Sequence, residues 1–95
     1  MKTRDIQIGK KVATGYELPL LGATLVYIAG KKGFLSCGLF DLSVAEERSL
    51  CCAIVRDADS IEGLLDGEVW AASAKAQSRG VVPKMTGREA LKKLV

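Results

Sequence analysis

Ninety-five residues suffice for one small core, and a chain of this length buries only about 65% of its unfolded surface, so its stability margin is thin. The net charge of +3 comes from dispersed pairs (Lys10-Lys11, Lys31-Lys32, Lys92-Lys93). The five aromatic residues are too scattered for a base-stacking platform, which argues against nucleic-acid binding. The chain has no histidine, and so lacks the commonest general base, the Cys–His and Ser–His dyads and the usual zinc ligand.

No apolar run approaches the roughly 20 residues that span a bilayer, and the stretch from Met1 to Asp5 leads into polar alternation rather than a signal-peptide core. Three cysteines, two of them adjacent, make no disulfide framework. These features predict a cytoplasmic protein that makes no membrane contact.

In chain order, Ile6 and Ile8 alternate with polar residues. Val12, Thr14, Tyr16, Leu18 and Leu20 then share one parity, which is a strand signal. Pro19 suits a strand end or an edge. Ala23–Ala29 is apolar or threonine throughout, as in a strand covered on both faces, here by a second chain. Gly30-Lys31-Lys32-Gly33 reads as a hairpin loop with glycines at positive φ, and Phe34–Phe40 as the returning strand of an antiparallel meander.

After Asp41 the pattern turns helical. Ser43/Glu46, Asp59/Glu62 and Thr86/Glu89 have the spacing of capping boxes. Ile61, Leu64 and Leu65 mark a short amphipathic helix over 60–66 that ends at Gly67, and Glu68–Arg79 reads as an alanine-rich helix closed by Gly80. Ala90, Leu91, Leu94 and Val95 form the apolar face of the last helix. Cys51–Val55 is a short strand between helices, and Val81-Val82 a candidate for another. Strands first and helices later predict a two-layer α+β fold: an N-terminal antiparallel β meander with C-terminal helices packed on one face.

Few residues carry chemistry. Cys37 on an extended segment would share a face with Leu35 and Leu39. It is either a buried core thiol or, beside Gly38 and a helix start, an activated nucleophile. Asp41 either complements the helix dipole or assists Cys37 as a base, the latter only if the chain turns at Gly38. Cys51 and Cys52 would point to opposite faces of a strand, so no metal site is expected. Lys84, Thr86, Gly87 and Arg88 open the last helix, where amides, a hydroxyl and two cations would suit a carboxylate or phosphate; the alternative is a plain capping box with solvated charges. Trp70 reads as an anchor in the core or at an interface. No cofactor is expected.

The segment Gly33-Phe34-Leu35-Ser36-Cys37-Gly38-Leu39-Phe40-Asp41, followed by Ile61–Leu65 and Met85-Thr86-Gly87-Arg88-Glu89-Ala90-Leu91, resembles the DUF1805 family, also called YunC-like. That family carries a Gly-Tyr-x-x-Cys-Gly-x-x-Asp pattern and a Gly-Met-x-Gly-x-Glu-Ala-Leu-type pattern. Here Phe34 stands in place of the tyrosine and Lys84 in place of the glycine before Met85. The resemblance implies one α+β domain over residues 1–95, with a β-rich oligomerisation region (1–40) that builds a homotetramer and a mostly helical region (41–95). It implies no activity. The expectation is a cytoplasmic homotetramer that binds a small anion or a protein partner through Gly38, Lys84, Thr86, Gly87 and Arg88. The alternative is a cysteine-dependent enzyme using Cys37 with Asp41.

Overall fold

The computed structural model describes residues 2–95. Alternating sequence at the amino end builds three strands: β1 (Lys2–Ile8), β2 (Lys11–Leu20) and β3 (Ala23–Ala29). Two-residue loops join them, with Gly9 at φ 60° and Gly22 at φ 86°, conformations that glycine adopts without a Cβ penalty. β4 (Phe34–Cys37) completes an antiparallel meander. The chain then crosses over through α1 (Leu42–Glu47) to β5 (Cys52–Val55), which pairs parallel to β4. After α2 (Ile61–Asp66), β6 (Ala71–Ala72) adds antiparallel to β5, and α3 (Ala74–Ser78) and α4 (Gly87–Lys92) follow. One six-stranded sheet results, ordered as in the sequence, and the fold is the α+β class expected.

Strand parity divides the apolar residues between two faces. Ile6, Ile8, Ala13, Val26, Ile28, Leu35, Cys37, Ala53 and Val55 pack beneath α2 and α4 in the main core. Ile61, Leu64 and Leu65 from α2, and Ala90, Leu91, Leu94 and Val95 from the last helix and its end, are buried there, as their spacing predicts. Cys52 and Ile54 face the other way, into a small cluster with Ala45 of α1, flanked by Phe34, Phe40, Leu42 and Leu50. α1 therefore lies across the sheet from α2 and α4. It covers only β4 and β5, and Val12, Leu18 and Leu20 of the meander stay exposed on that side.

Several local expectations are corrected. Gly30 and Gly33 are not at positive φ. A Cβ on Gly30 would stand 2.4 Å from the Leu94 carbonyl oxygen, and one on Gly33 2.6 Å from that of Cys51, so close backbone approach explains both. The strand from Phe34 ends at Cys37, and Leu39 is exposed. Val81 is buried but neither it nor Val82 joins the sheet.

Glu68–Arg79 is not one helix. Trp70 N–H donates to the Ile54 carbonyl at 2.7 Å, Ala71 and Ala72 pair with β5, and the helix begins only at Ala74. Ser73 caps it: its Oγ accepts from Ala76 N–H at 3.3 Å and from Cys52 N–H at 3.0 Å. Alanine's helix preference is worth only tenths of a kcal/mol per residue, and the open backbone edge of β5 outweighs it.

Of the three capping boxes, Thr86/Glu89 forms with both bonds. The other two caps shift. Asp41 caps α1, accepting from Ser43, while Glu46 accepts from Ala74 N–H at the start of α3. Ser60 caps α2, while Glu62 pairs with Arg4 of β1.

Candidate functional site

The parallel pair defines the one place where the chain leaves neighbouring strands toward opposite faces. After β4 it passes through Gly38–Asp41 to α1; after β5 it passes through Arg56–Ser60 to α2, on the far side of the sheet. Open sheets bind ligands in the crevice outside the carboxyl ends of parallel strands at such a divergence. The two loops touch at their base, where Gly38 N–H donates to the Arg56 carbonyl at 3.2 Å. A Cβ on Gly38 would stand 2.6 Å from that oxygen, so only glycine fits the approach.

Two grooves flank the Arg56–Asp59 segment. One, of about 530 Å³, is lined by Arg56, Asp57, Asp59, Glu68, Trp70 and Lys84, among others. Its neighbour, of about 690 Å³, runs between that segment and the Leu20–Thr24 region, with Cys37, Gly38 and Leu39 along its wall. Both volumes fall within the range of small-molecule sites.

In the first groove the Arg56 guanidinium lies 4.8 Å from the Trp70 ring centroid, a cation–π pair that holds both side chains in place. Trp70 is 54% exposed, so it is a groove wall and not a core anchor, the first of the two roles expected of it. Lys84 adopts φ 79°, a left-handed conformation costly to a non-glycine residue, while its N–H donates to the Val69 carbonyl at 2.8 Å. Neither Arg56 nor Lys84 has a carboxylate within 4.0 Å among the described residues. Cations and acids both line the groove, which suits a ligand that carries an anionic group together with hydrogen-bond donors.

The residues anticipated from sequence are distributed around this crevice unequally. Cys37 lines the second groove but is only 1% exposed, with its Sγ 3.5 Å from Val26 N–H and 4.0 Å from the Thr24 carbonyl. Asp41 does not join it. Its carboxylate accepts from the N–H and hydroxyl of Ser43, which hold its pKa below the ordinary carboxylate value.

Lys84 reaches the first groove; Thr86, Gly87 and Arg88 do not line it. Thr86 Oγ1 and N–H bond to Glu89, whose carboxyl is thereby held below its usual pKa. Gly87 is buried with its N–H on the Gly67 carbonyl at 2.8 Å, and Arg88 leans toward Asp66 at 3.6 Å. The amides of Thr86, Gly87 and Glu89 are thus engaged internally, and the α4 start forms a capping box. A Cβ on Gly87 would meet the Leu64 carbonyl oxygen at 1.7 Å; this glycine serves the packing of α4 on α2.

Sequence reading missed Arg56, Asp57, Asp59 and the groove role of Trp70. The available signal was the polar run Arg56-Asp57-Ala58-Asp59-Ser60 directly after a buried strand.

Cys51 packs against the main core and Cys52 against the α1 cluster, on opposite faces as expected. Burial, with Cys51 and Glu46 nearby, pushes the Cys52 thiol up to about 11. Among the described residues no helix is long and apolar enough to cross a membrane.

Comparison with known proteins agrees with this architecture. The model of the DUF1805 family, a domain of unknown function, matches residues 36–94, more than half of the chain. The crystal structure of TA1206, a protein of unknown function from Thermoplasma acidophilum, superposes with a TM-score of 0.94 at 28% identity, over 99% of this chain and 92% of that one. No curated protein matches. The chain belongs to the DUF1805 family.

Proposed function

We propose that this DUF1805 chain is a cytoplasmic homotetrameric binding protein that holds a small polar, anion-bearing molecule in the crevice at the carboxyl ends of β4 and β5. The observation that carries the reading is the Arg56–Trp70 pair beside Lys84, at the point where the two loops diverge. Arg56 and Lys84 take the ligand's carboxylate or phosphate, Trp70 takes its apolar part, and Asp57, Asp59 and Glu68 accept from its hydroxyl or amino groups. Assembly uses the uncovered side of the meander, where Val12 and Leu20 are 52% and 48% exposed and Tyr16 stacks on Tyr27 with ring centroids 4.6 Å apart.

Trp70 is the sole tryptophan, so its fluorescence reports on the groove directly. Titration with a panel of hydroxycarboxylates, amino acids and phosphomonoesters is expected to give a saturable change for one class, weakened at least tenfold in Arg56→Gln. A flat response to the whole panel overturns the reading. The cysteine-dependent alternative has less behind it: the Cys37 sulfur is buried, and Asp41 is committed to capping α1.

A further inference from the structure

The amino ends of the same parallel pair carry a different chemistry. Lys32 from the segment before β4, Ser49 and Cys51 from the turn before β5, and Lys75 and Arg79 from α3 and its end line a pocket of about 610 Å³. Three of these side chains are cations and no carboxylate lines the pocket. None of the three has an acidic partner within 4.0 Å among the described residues. Glu46 accepts from Ala74 N–H at 3.0 Å and does not line the pocket. Lys93 lies close by in the chain's fold, its Nζ 3.4 Å from the position of a Cβ on Gly80, the residue after Arg79, but it does not line the pocket. Ser49 lines the pocket at φ 54°, where a chain leaving a helix ordinarily places glycine.

Cations from two separate segments, gathered in one concavity with no carboxylate in its wall, set up a positive potential that attracts an anion. We propose that this pocket binds a small phosphate-bearing molecule, a phosphomonoester or diphosphate, through Lys32, Lys75 and Arg79, with the Ser49 hydroxyl as a further donor. The forked guanidinium of Arg79 suits a phosphate's paired oxygens, and the two lysines balance its remaining charge. The volume leaves room for an organic remainder. The site is separate from the crevice and does not depend on it: the crevice lies past the carboxyl ends of β4 and β5, this pocket at their amino ends.

Cys51 reports on the pocket without any substitution, because Cys37 and Cys52 are 1% and 0% exposed while Cys51 is partly open. Its alkylation by iodoacetamide, a neutral reagent, is followed with pyrophosphate, phenyl phosphate, or sodium chloride at matched ionic strength. At about ten times its dissociation constant, pyrophosphate is expected to slow the reaction about tenfold, with phenyl phosphate also protecting and chloride not. The double variant Lys75→Gln/Arg79→Gln, altered only at exposed positions and checked for native circular dichroism, is expected to lose the protection. No slowing, equal slowing by chloride, or full protection in the double variant overturns the proposal. Protection by pyrophosphate alone removes the organic ligand from it, and stronger protection by a single-stranded oligonucleotide replaces it with nucleic-acid binding.

Discussion

The meander of β1–β3 and the segment from β4 onward solve the same packing problem differently. In the meander, neighbouring strands pair in sequence order through two-residue loops, and one face is buried beneath α2 while the other carries Val12, Leu18 and Leu20 in the open. From β4 onward both faces are covered, α1 on one side and α2 with α4 on the other, and close packing there rests on glycines with no room for a methyl group. The groove beside Trp70 falls wholly in this second region and within the residues the family model matches, and the pocket at the amino ends does so except for Lys32, which precedes β4. A sheet covered on both faces can hold side chains rigidly at its strand ends; a sheet covered on one face has a surface left for association.

The sharpest contrast is between two glycines. Gly87→Ala places a Cβ 1.7 Å from the Leu64 carbonyl oxygen, a backbone clash expected to cost about 3 kcal/mol in urea unfolding. Gly15→Ala in the meander meets only side-chain tips of Ile6 and Ile61, at 3.0 Å, and is expected to cost about 1 kcal/mol. Equal losses would mean that the two regions are packed alike.

Next in size is assembly. Val12→Asp with Leu18→Asp puts charges on the uncovered face and is expected to lower the light-scattering mass fourfold with the circular dichroism unchanged. An unaltered mass would remove the meander from the interface.

Two opposed effects of about 1 kcal/mol follow at the α4 entrance. Thr86→Ala loses the cap and destabilises. Lys84→Gly relieves the left-handed backbone and stabilises, while weakening ligand binding in the crevice. A destabilised Lys84→Gly protein would show that the lysine side chain matters more to the fold than its strained backbone.

The smallest effects are in pH. Asp41, Glu62 and Glu89 have folded pKa values below their ordinary 3.8 and 4.5, through bonds to Ser43, Arg4 and Thr86 respectively. Each folded state therefore binds its proton more weakly than the unfolded chain. The stability they add is complete above the unfolded values and is lost as pH falls through the folded ones. Cys52 works in reverse. Its thiol is raised from 9.0 to about 11, so the stability linked to it is present below pH 9 and is lost as pH rises toward 11. Cys52→Ala is expected to flatten that alkaline limb in chemical unfolding curves.

The sequence by itself determined whatever is settled within a few residues. Period-two alternation through Val12–Leu20 identifies the strand, and the i, i+3, i+4 spacing of Ile61, Leu64 and Leu65 the helix and its buried face, because a side chain's direction follows from its own backbone. In the strand it is Ala13 and Gly15, not the apolar parity, that face the core. The Thr86–Glu89 capping box was legible for the same reason, both partners lying within one helical turn.

Where two distant segments compete for one backbone, only the tertiary structure decided. Ala71 and Ala72 are good helix formers, yet they pair with β5, whose open edge no local pattern announces. Asp41 and Ser60 displaced the expected caps because Glu46 and Glu62 found partners far along the chain, in Ala74 and Arg4. The candidate crevice is of this second kind. Cys37 and Lys84 were visible as residues, but Arg56 meets Trp70 only because β6 docks on β5, and the loops diverge only because α1 and α2 take opposite faces of the sheet. Local propensities are worth tenths of a kcal/mol per residue, whereas an unpaired buried amide or a displaced apolar face costs more than 1 kcal/mol, so long-range pairing prevails where the two disagree.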